Sequence, residues 1–368
     1  MWGFRHICRC RSAGEVLAAI TDGADVHERN AENRPPLYDA CIRNNAAAVE
    51  VLIANGADVH DRDQHFMTPL HWAVRGFLVE TPEALAVLIA AGADVAATDI
   101  NGMSPLHHAS QREKSGAVRL LLEAGAPMTT DKKGRTPLML ACGRRRYRGD
   151  VVKTLIEFGA DVNQKNDTDT PLSLAARHGH YNCVEALIDA GADVAKDIGS
   201  PDSPLYLACK HNHSGCADFL IRAGIPVNRR WPHGSLLSLA CKRVDCEKLL
   251  DVLIRAGADV NKCLPNGGRP LIQLVRKCRR PWLPYNCTGE VGVSRLIAAG
   301  ANVNCVDSGD NTALHYACEN GRPEIVAALL IAGANPRALN TAGDSPGDLT
   351  TEPAILAMFE PRVKSAAT

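Results

Sequence analysis

Fourteen Cys and thirteen His are the side chains of this 368-residue chain best suited to chemistry. A thiolate beside an imidazole makes a nucleophile with its base, and Cys and His together bind zinc. The densest local group is His6-x-Cys8-x-Cys10, which by ligand type is half of a zinc site. No second pair follows at zinc spacing, so no complete tetrahedral set is expected. The other Cys residues follow a packing pattern. Cys41, Cys142, Cys209, Cys241 and Cys318 each come directly after an Ala, at the same place in a recurring phrase. Val74, Ser110, Ala176 and Val275 take that place elsewhere. The position therefore asks for a small buried side chain, and a free thiol serves. Helices stacked about 8–10 Å apart hold such thiols beyond disulfide reach. A reduced, intracellular chain is expected, in the cytoplasm or nucleus.

That phrase organises the whole chain. Its clearest copy is Thr312-Ala313-Leu314-His315-Tyr316-Ala317-Cys318, followed after a gap by Leu329-Leu330-Ile331-Ala332-Gly333-Ala334-Asn335. The first half returns as Thr68-Pro69-Leu70-His71-Trp72-Ala73 and Ser104-Pro105-Leu106-His107-His108-Ala109. It returns in shorter form at Thr136-Pro137-Leu138, Thr170-Pro171-Leu172 and Ser203-Pro204-Leu205. The second half returns with Gly23, Gly56, Gly92, Gly125, Gly159, Gly191, Gly224, Gly257, Gly300 and Gly333. Successive glycines lie 32–36 residues apart, except for a step of 43 before Gly300.

Each part has a local role. A Ser or Thr hydroxyl caps the free N–H groups of a helix start, and Pro at the first helical position gives up no hydrogen bond. A short inner helix follows, then an outer one such as Asp150 to Phe158, with Val151, Val152, Leu155 and Ile156 at helical spacing. Gly159 ends it, because glycine accepts the left-handed backbone that closes many helices. A period of about 33 residues with this phrase is the signature of ankyrin repeats. Over nearly its whole length the chain resembles the ankyrin-repeat family.

The resemblance implies an all-α fold: an ankyrin-repeat solenoid of stacked helix-turn-helix units with protruding hairpin loops. Residues 1–30 read as an N-terminal capping repeat. Repeats then span 31–63, 64–99, 100–131, 132–166, 167–198, 199–231, 232–264, 265–307 and 308–340, with an insertion in the unit at 265–307. Residues 341–360 read as a C-terminal capping repeat and 361–368 as a disordered tail.

Lys and Arg total 41, as do Asp and Glu, which leaves a formal net charge of +0. That balance argues against bulk nucleic-acid binding. No apolar run approaches the roughly 20 residues of a membrane span. The N-terminus lacks the apolar core of a signal peptide. No phosphate-binding loop, zinc-protease helix or nucleophile elbow is recognised, so neither cofactor nor catalysis is expected.

The expected function is non-catalytic protein binding, by a monomer, on the concave inner-helix face and the hairpin tips. Laid in register, the two residues after the small-residue position end each inner helix. They are Gly143/Arg144, Arg177/His178, Lys210/His211, Lys242/Arg243 and Arg276/Lys277, and Arg145 extends the first rung. Cations suit helix C-termini by about 0.3–1 kcal/mol each. In such a row they would also steer and pair an acidic peptide or protein surface. Among the tips, Trp231 and Trp282 are the aromatic anchors expected at an interface.

The resemblance also implies substrates of the asparaginyl hydroxylase that inhibits hypoxia-inducible factor. Asn163, with Leu155 and Asp161, fits the preferred pattern, as does Asn261 with Leu253 and Asp259; Asn304 fits less well. The runner-up function is substrate recognition for a ubiquitin ligase, although neither a SOCS box nor an F-box is found in the chain.

Overall fold

The structure is a computed structural model that describes residues 12–76, 82–144, 149–195, 199–229, 231, 234–243, 246–262, 269–278 and 289–359. Among these residues the chain is an all-α repeat solenoid, and the β contribution is one isolated bridge between Trp231 and Gly234. It divides into two compact units, residues 1–193 and 194–368.

In the first unit the inner helices are α2 (Pro36–Ile42), α4 (Pro69–Arg75), α6 (Pro105–Gln111), α8 (Pro137–Cys142) and α10 (Pro171–His178). The outer helices are α1 (Ala13–Thr21), α3 (Ala46–Ala54), α5 (Glu83–Ala90), α7 (Ser115–Glu123), α9 (Asp150–Glu157) and α11 (Tyr181–Asp189). In the second unit the inner helices are α12 (Pro204–Lys210), α14 (Leu236–Ala240), α16 (Pro270–Lys277) and α18 (Ala313–Glu319). The outer ones are α13 (Ser214–Arg222), α15 (Glu247–Arg255), α17 (Gly289–Ala298) and α19 (Pro323–Ile331). A 3-10 turn at Pro346–Leu349 and α20 (Pro353–Phe359) follow.

The local chemistry of the phrase sets these boundaries. Thr136 Oγ1 accepts from the Met139 N–H at 3.1 Å, and Thr170 Oγ1 from Ser173 at the same distance. At the far end of an outer helix Gly159 has φ 86°, and its N–H reaches the Ile156 carbonyl at 2.9 Å. Within each unit, successive inner helices pack on one another, as do the outer helices α1, α3 and α5, then α7, α9 and α11, and α13, α15, α17 and α19. Leu70, Leu106, Leu138 and Leu172 fill the inner row and Leu52, Leu88, Leu121 and Leu155 the outer row, all buried.

Imidazoles fasten each repeat to the next. His71 Nδ1 accepts from the Thr68 N–H at 3.1 Å, so its proton sits on Nε2, which donates to the Met103 carbonyl of the following repeat at 3.1 Å. His107 joins Ser104 to the Arg135 carbonyl in the same way, and His315 joins Thr312 to that of Asp344. The hairpins are also joined by backbone bonds: the Ile100 N–H to the His65 carbonyl, Lys132 to Asn101, and Thr341 to Gly309. An Asp or Asn orders each such turn. Asp99 Oδ1 accepts from the Asn101 and Met103 N–H groups, and its Oδ2 accepts from His108 Nε2 at 3.0 Å.

Burial of the imidazoles holds the pKa of both His71 and His108 down to about 4, below their ordinary value of 6.5. The unfolded chain therefore takes up these protons at a higher pH than the folded one. Their contribution to stability is full above about pH 6.5 and is lost as pH falls from there towards 4, by about 1.4 kcal/mol per pH unit for each imidazole. Urea midpoints should drop between about pH 7.5 and about pH 5, and a doubly substituted His71→Asn, His108→Asn chain should show a flatter profile. His71→Ala leaves a buried N–H and a buried carbonyl unpaired and should cost about 2–4 kcal/mol in the same unfolding experiment.

Candidate functional site

The ends of the inner helices carry the most chemically active surface. In the second unit Lys210, Lys242, Arg243, Arg276 and Lys277 are all exposed at these ends. Among the described residues no carboxylate forms an ion pair with Lys210, Lys242, Arg276 or Lys277. Lys242, Gln273, Arg276, Lys277, Tyr316, Glu319 and Asn320 line a groove of about 710 Å³. Its polar framework is fixed from behind. The Arg276 guanidinium lies 5.1 Å from the centre of the Tyr316 ring. Tyr316 Oη donates to Asp307 Oδ2 at 2.6 Å, and Asn320 Nδ2 donates to the Val275 carbonyl at 2.9 Å. Burial opposes ionisation of Asp307, but the Tyr316 hydroxyl, the N–H groups of Gly309 and Asn311, and Arg276 hold its carboxyl below the usual range. Burial first, and then Asp307, push the Tyr316 phenol up to about 12, so it stays a donor.

The first unit presents Arg144, exposed, at the end of α8. Arg177 departs from the expected row. Asp169, in the hairpin before it, holds its guanidinium at 2.6 and 3.3 Å, so Arg177 orders its own repeat. Arg145 and Trp282 lie outside the described residues, as do His6, Cys8 and Cys10.

Trp231 is a correction. It is only 3% exposed, stacks on Tyr206 with ring centres 6.2 Å apart, and donates Nε1–H to the Val227 carbonyl at 3.3 Å. A large flat apolar ring beside a tyrosine face is better buried than displayed. It is part of the packing and not an exposed anchor. Phe66 is the aromatic that stands out at a tip, 53% exposed, with Ile100 at the next tip 49% exposed.

Sequence reasoning also missed cations. Arg75 ends α4 and Arg112 caps α6, two repeats and one repeat before Arg144. The Arg112 pKa is lowered by burial and then by repulsion from Arg75 and Arg144, which gathers these three guanidinium groups on one side of the first unit. Arg75 Nη1 lies 3.4 Å from His108 Nδ1, and Lys114 Nζ donates to the Gly76 carbonyl at 2.9 Å. The register already contained the signal, because the two residues after Val74 and Ser110 include both arginines.

Asn163 and Asn261 act as bridges. Asn163 Nδ2 donates to the Gly191 carbonyl at 3.1 Å and its Oδ1 accepts from the Asp193 N–H at 2.8 Å. Asn261 makes the same pair of bonds with Gly300 and Asn302, and Asn304 with Gly333 and Asn335. Asn228 does so as well, towards Gly257 and Asp259. It escapes the sequence pattern because Pro226 stands where the others have an acidic residue or an amide.

The ten described Cys are buried free thiols. Burial pushes the thiols of Cys41, Cys209 and Cys318 up, the last to about 12, which keeps them protonated. Among these residues no group of three or more His, Cys, Asp and Glu is arranged to hold a metal ion. No helix there is long and apolar enough to cross a membrane. Gly343-Asp344-Ser345-Pro346-Gly347 does spell the letters of a nucleophile elbow, which the sequence reading passed over. Ser345 instead caps the 3-10 turn, and its hydroxyl donates to Asp348 at 2.6 Å, with no strand before it.

Comparison with known proteins agrees with this geometry. A family model described as ankyrin repeats (3 copies) matches residues 7–99, 78–166, 106–198, 145–231 and 237–340. Over 54 residues, 14% of this chain, the sequence is 52% identical to glycerophosphocholine phosphodiesterase gde1 of Schizosaccharomyces pombe, 5% of which is covered. Over 57 residues, 16% of the chain, it is 40% identical to protein phosphatase 1 regulatory subunit 27 of Homo sapiens, 37% of which is covered. Both similarities are local, whereas the family match runs from residue 7 to residue 340, across the stacked helix pairs. The chain belongs to the ankyrin-repeat family.

Proposed function

We propose that this chain is a non-catalytic scaffold that binds an acidic surface of another protein through the ends of its inner helices. Ankyrin repeats generally mediate protein–protein interaction, and proteins built from them are typically non-catalytic. One matched relative is by name a regulatory subunit, which supports binding over turnover. The observation that carries the reading is the set of exposed cations at successive inner-helix ends: Arg144 in the first unit, and Lys210, Lys242, Arg276 and Lys277 in the second. A carboxylate surface would pair with them through charge-assisted bonds and be steered to them at low salt. Converting Arg144, Lys210, Lys242 and Arg276 to Glu should lower capture of the partner by more than about tenfold in quantitative cross-linking. Unchanged capture would contradict the reading.

Asn163 and Asn261 are further proposed as acceptors of asparaginyl hydroxylation. Both sit on the turn after an outer helix and are half-buried, within reach of an enzyme that opens the local bridge. After coexpression with such a hydroxylase, peptide mass spectrometry should find one added oxygen atom on either residue. Unmodified peptides at both positions would discard this part.

A further inference from the structure

The groove in the second unit carries more than positive charge. Its rim holds three cations, Lys242, Arg276 and Lys277, against one carboxylate, Glu319. Gln273 lines it too, and its Oε1 is turned inward, buried and without a hydrogen-bond partner among the described residues. A buried acceptor left unpaired costs about as much as a lost hydrogen bond, so such atoms usually face a ligand donor or a water. An inorganic polyanion such as polyphosphate offers charge but no N–H group. An extended peptide offers both, since its backbone presents N–H donors between its side chains. The other polar groups are already engaged. Tyr316 Oη is committed to Asp307, and Asn320 Nδ2 to the Val275 carbonyl. Arg276 is braced on the Tyr316 ring, which orders its guanidinium before any ligand arrives. At about 710 Å³ the groove falls within the roughly 300–1,000 Å³ typical of ligand sites.

From this we infer that the groove is the seat of an extended acidic peptide segment, whose carboxylates pair with Lys242, Arg276 and Lys277 and whose backbone N–H donates to Gln273 Oε1 once that amide turns towards the groove. The inference rests on the proposed binding role and deepens it, by naming the place and the chemistry of the occupant.

A fluorescein-labelled oligo-glutamate peptide tests it on the full chain by fluorescence anisotropy, with inorganic polyphosphate as a polyanion that has no N–H group. Lys242→Glu with Lys277→Glu should weaken the peptide by more than about tenfold. Gln273→Leu, a substitution of similar size, should weaken it by about two- to tenfold and leave polyphosphate binding unaffected. Lys132→Glu with Lys133→Glu, at an exposed hairpin tip of the other unit, should leave peptide binding unchanged. Three results would overturn the inference. They are equal loss from the hairpin-tip and groove reversals, equal effects of Gln273→Leu on peptide and polyphosphate, or no peptide binding by the wild-type chain. If the peptide fails while charge reversal still abolishes capture of the protein partner, the groove assignment falls and the wider reading stands.

Discussion

Everything in this structure depends on the fact that a single helix pair has nowhere to hide its apolar side. The inner and outer leucines of one repeat are buried only because the next repeat covers them. Burying a Leu side chain stabilises by roughly 1.5–3 kcal/mol. That burial is unspecific about register, so polar bonds are needed to set it. The imidazoles of His71, His107 and His315 supply them, each capping its own helix with one nitrogen and holding the next repeat's carbonyl with the other. The asparagine bridges at 163, 228, 261 and 304 do the same work at the opposite turn. Repeats built this way are stable through their neighbours, so stability is a sum over units and interfaces.

Once stacking has claimed the leucines, the caps and the closing glycines, the ends of the inner helices are left to vary. Two fates of a cation there can be compared. Arg177 has an acidic hairpin residue within reach and is drawn into its own repeat by Asp169. Arg276 has no such partner, because the place that Asp169 takes in the earlier repeat is Gly268 in its own sequence. The guanidinium instead rests on the Tyr316 ring and keeps its N–H groups available to a ligand. One residue type thus serves stability in one repeat and recognition in another, and the neighbouring acid decides which. The basic surface is local in this sense, which suits a chain whose total charge is balanced.

Much of this was legible in the sequence, for physical reasons. Caps, closing glycines and the column of small buried residues are set by backbone geometry within one repeat, so periodicity reveals them; Cys41, Cys142, Cys209, Cys241 and Cys318 are all buried, as their shared position implied. Features that depend on a particular neighbour were harder to see. Trp231 looked like a surface anchor because nothing local says that Tyr206 offers it a flat face. Arg177 looked available because the pairing with Asp169 crosses a hairpin and a helix. Arg75 and Arg112 were visible in the register but stand before the stretch where the basic residues recur without interruption. The groove beside Gln273 has no signature in the sequence, since it exists only where the ends of α14, α16 and α18 come together.

The central claim is that the stacked repeats grip another protein at the inner-helix ends and leave the outer helices as support. Hydrogen–deuterium exchange of the chain with and without its captured protein partner tests this most directly. The account predicts slower exchange at residues 240–243, 273–278 and 316–320, with α15, α17 and α19 unchanged. Protection confined to those outer helices, with the inner-helix ends exchanging as before, would contradict it.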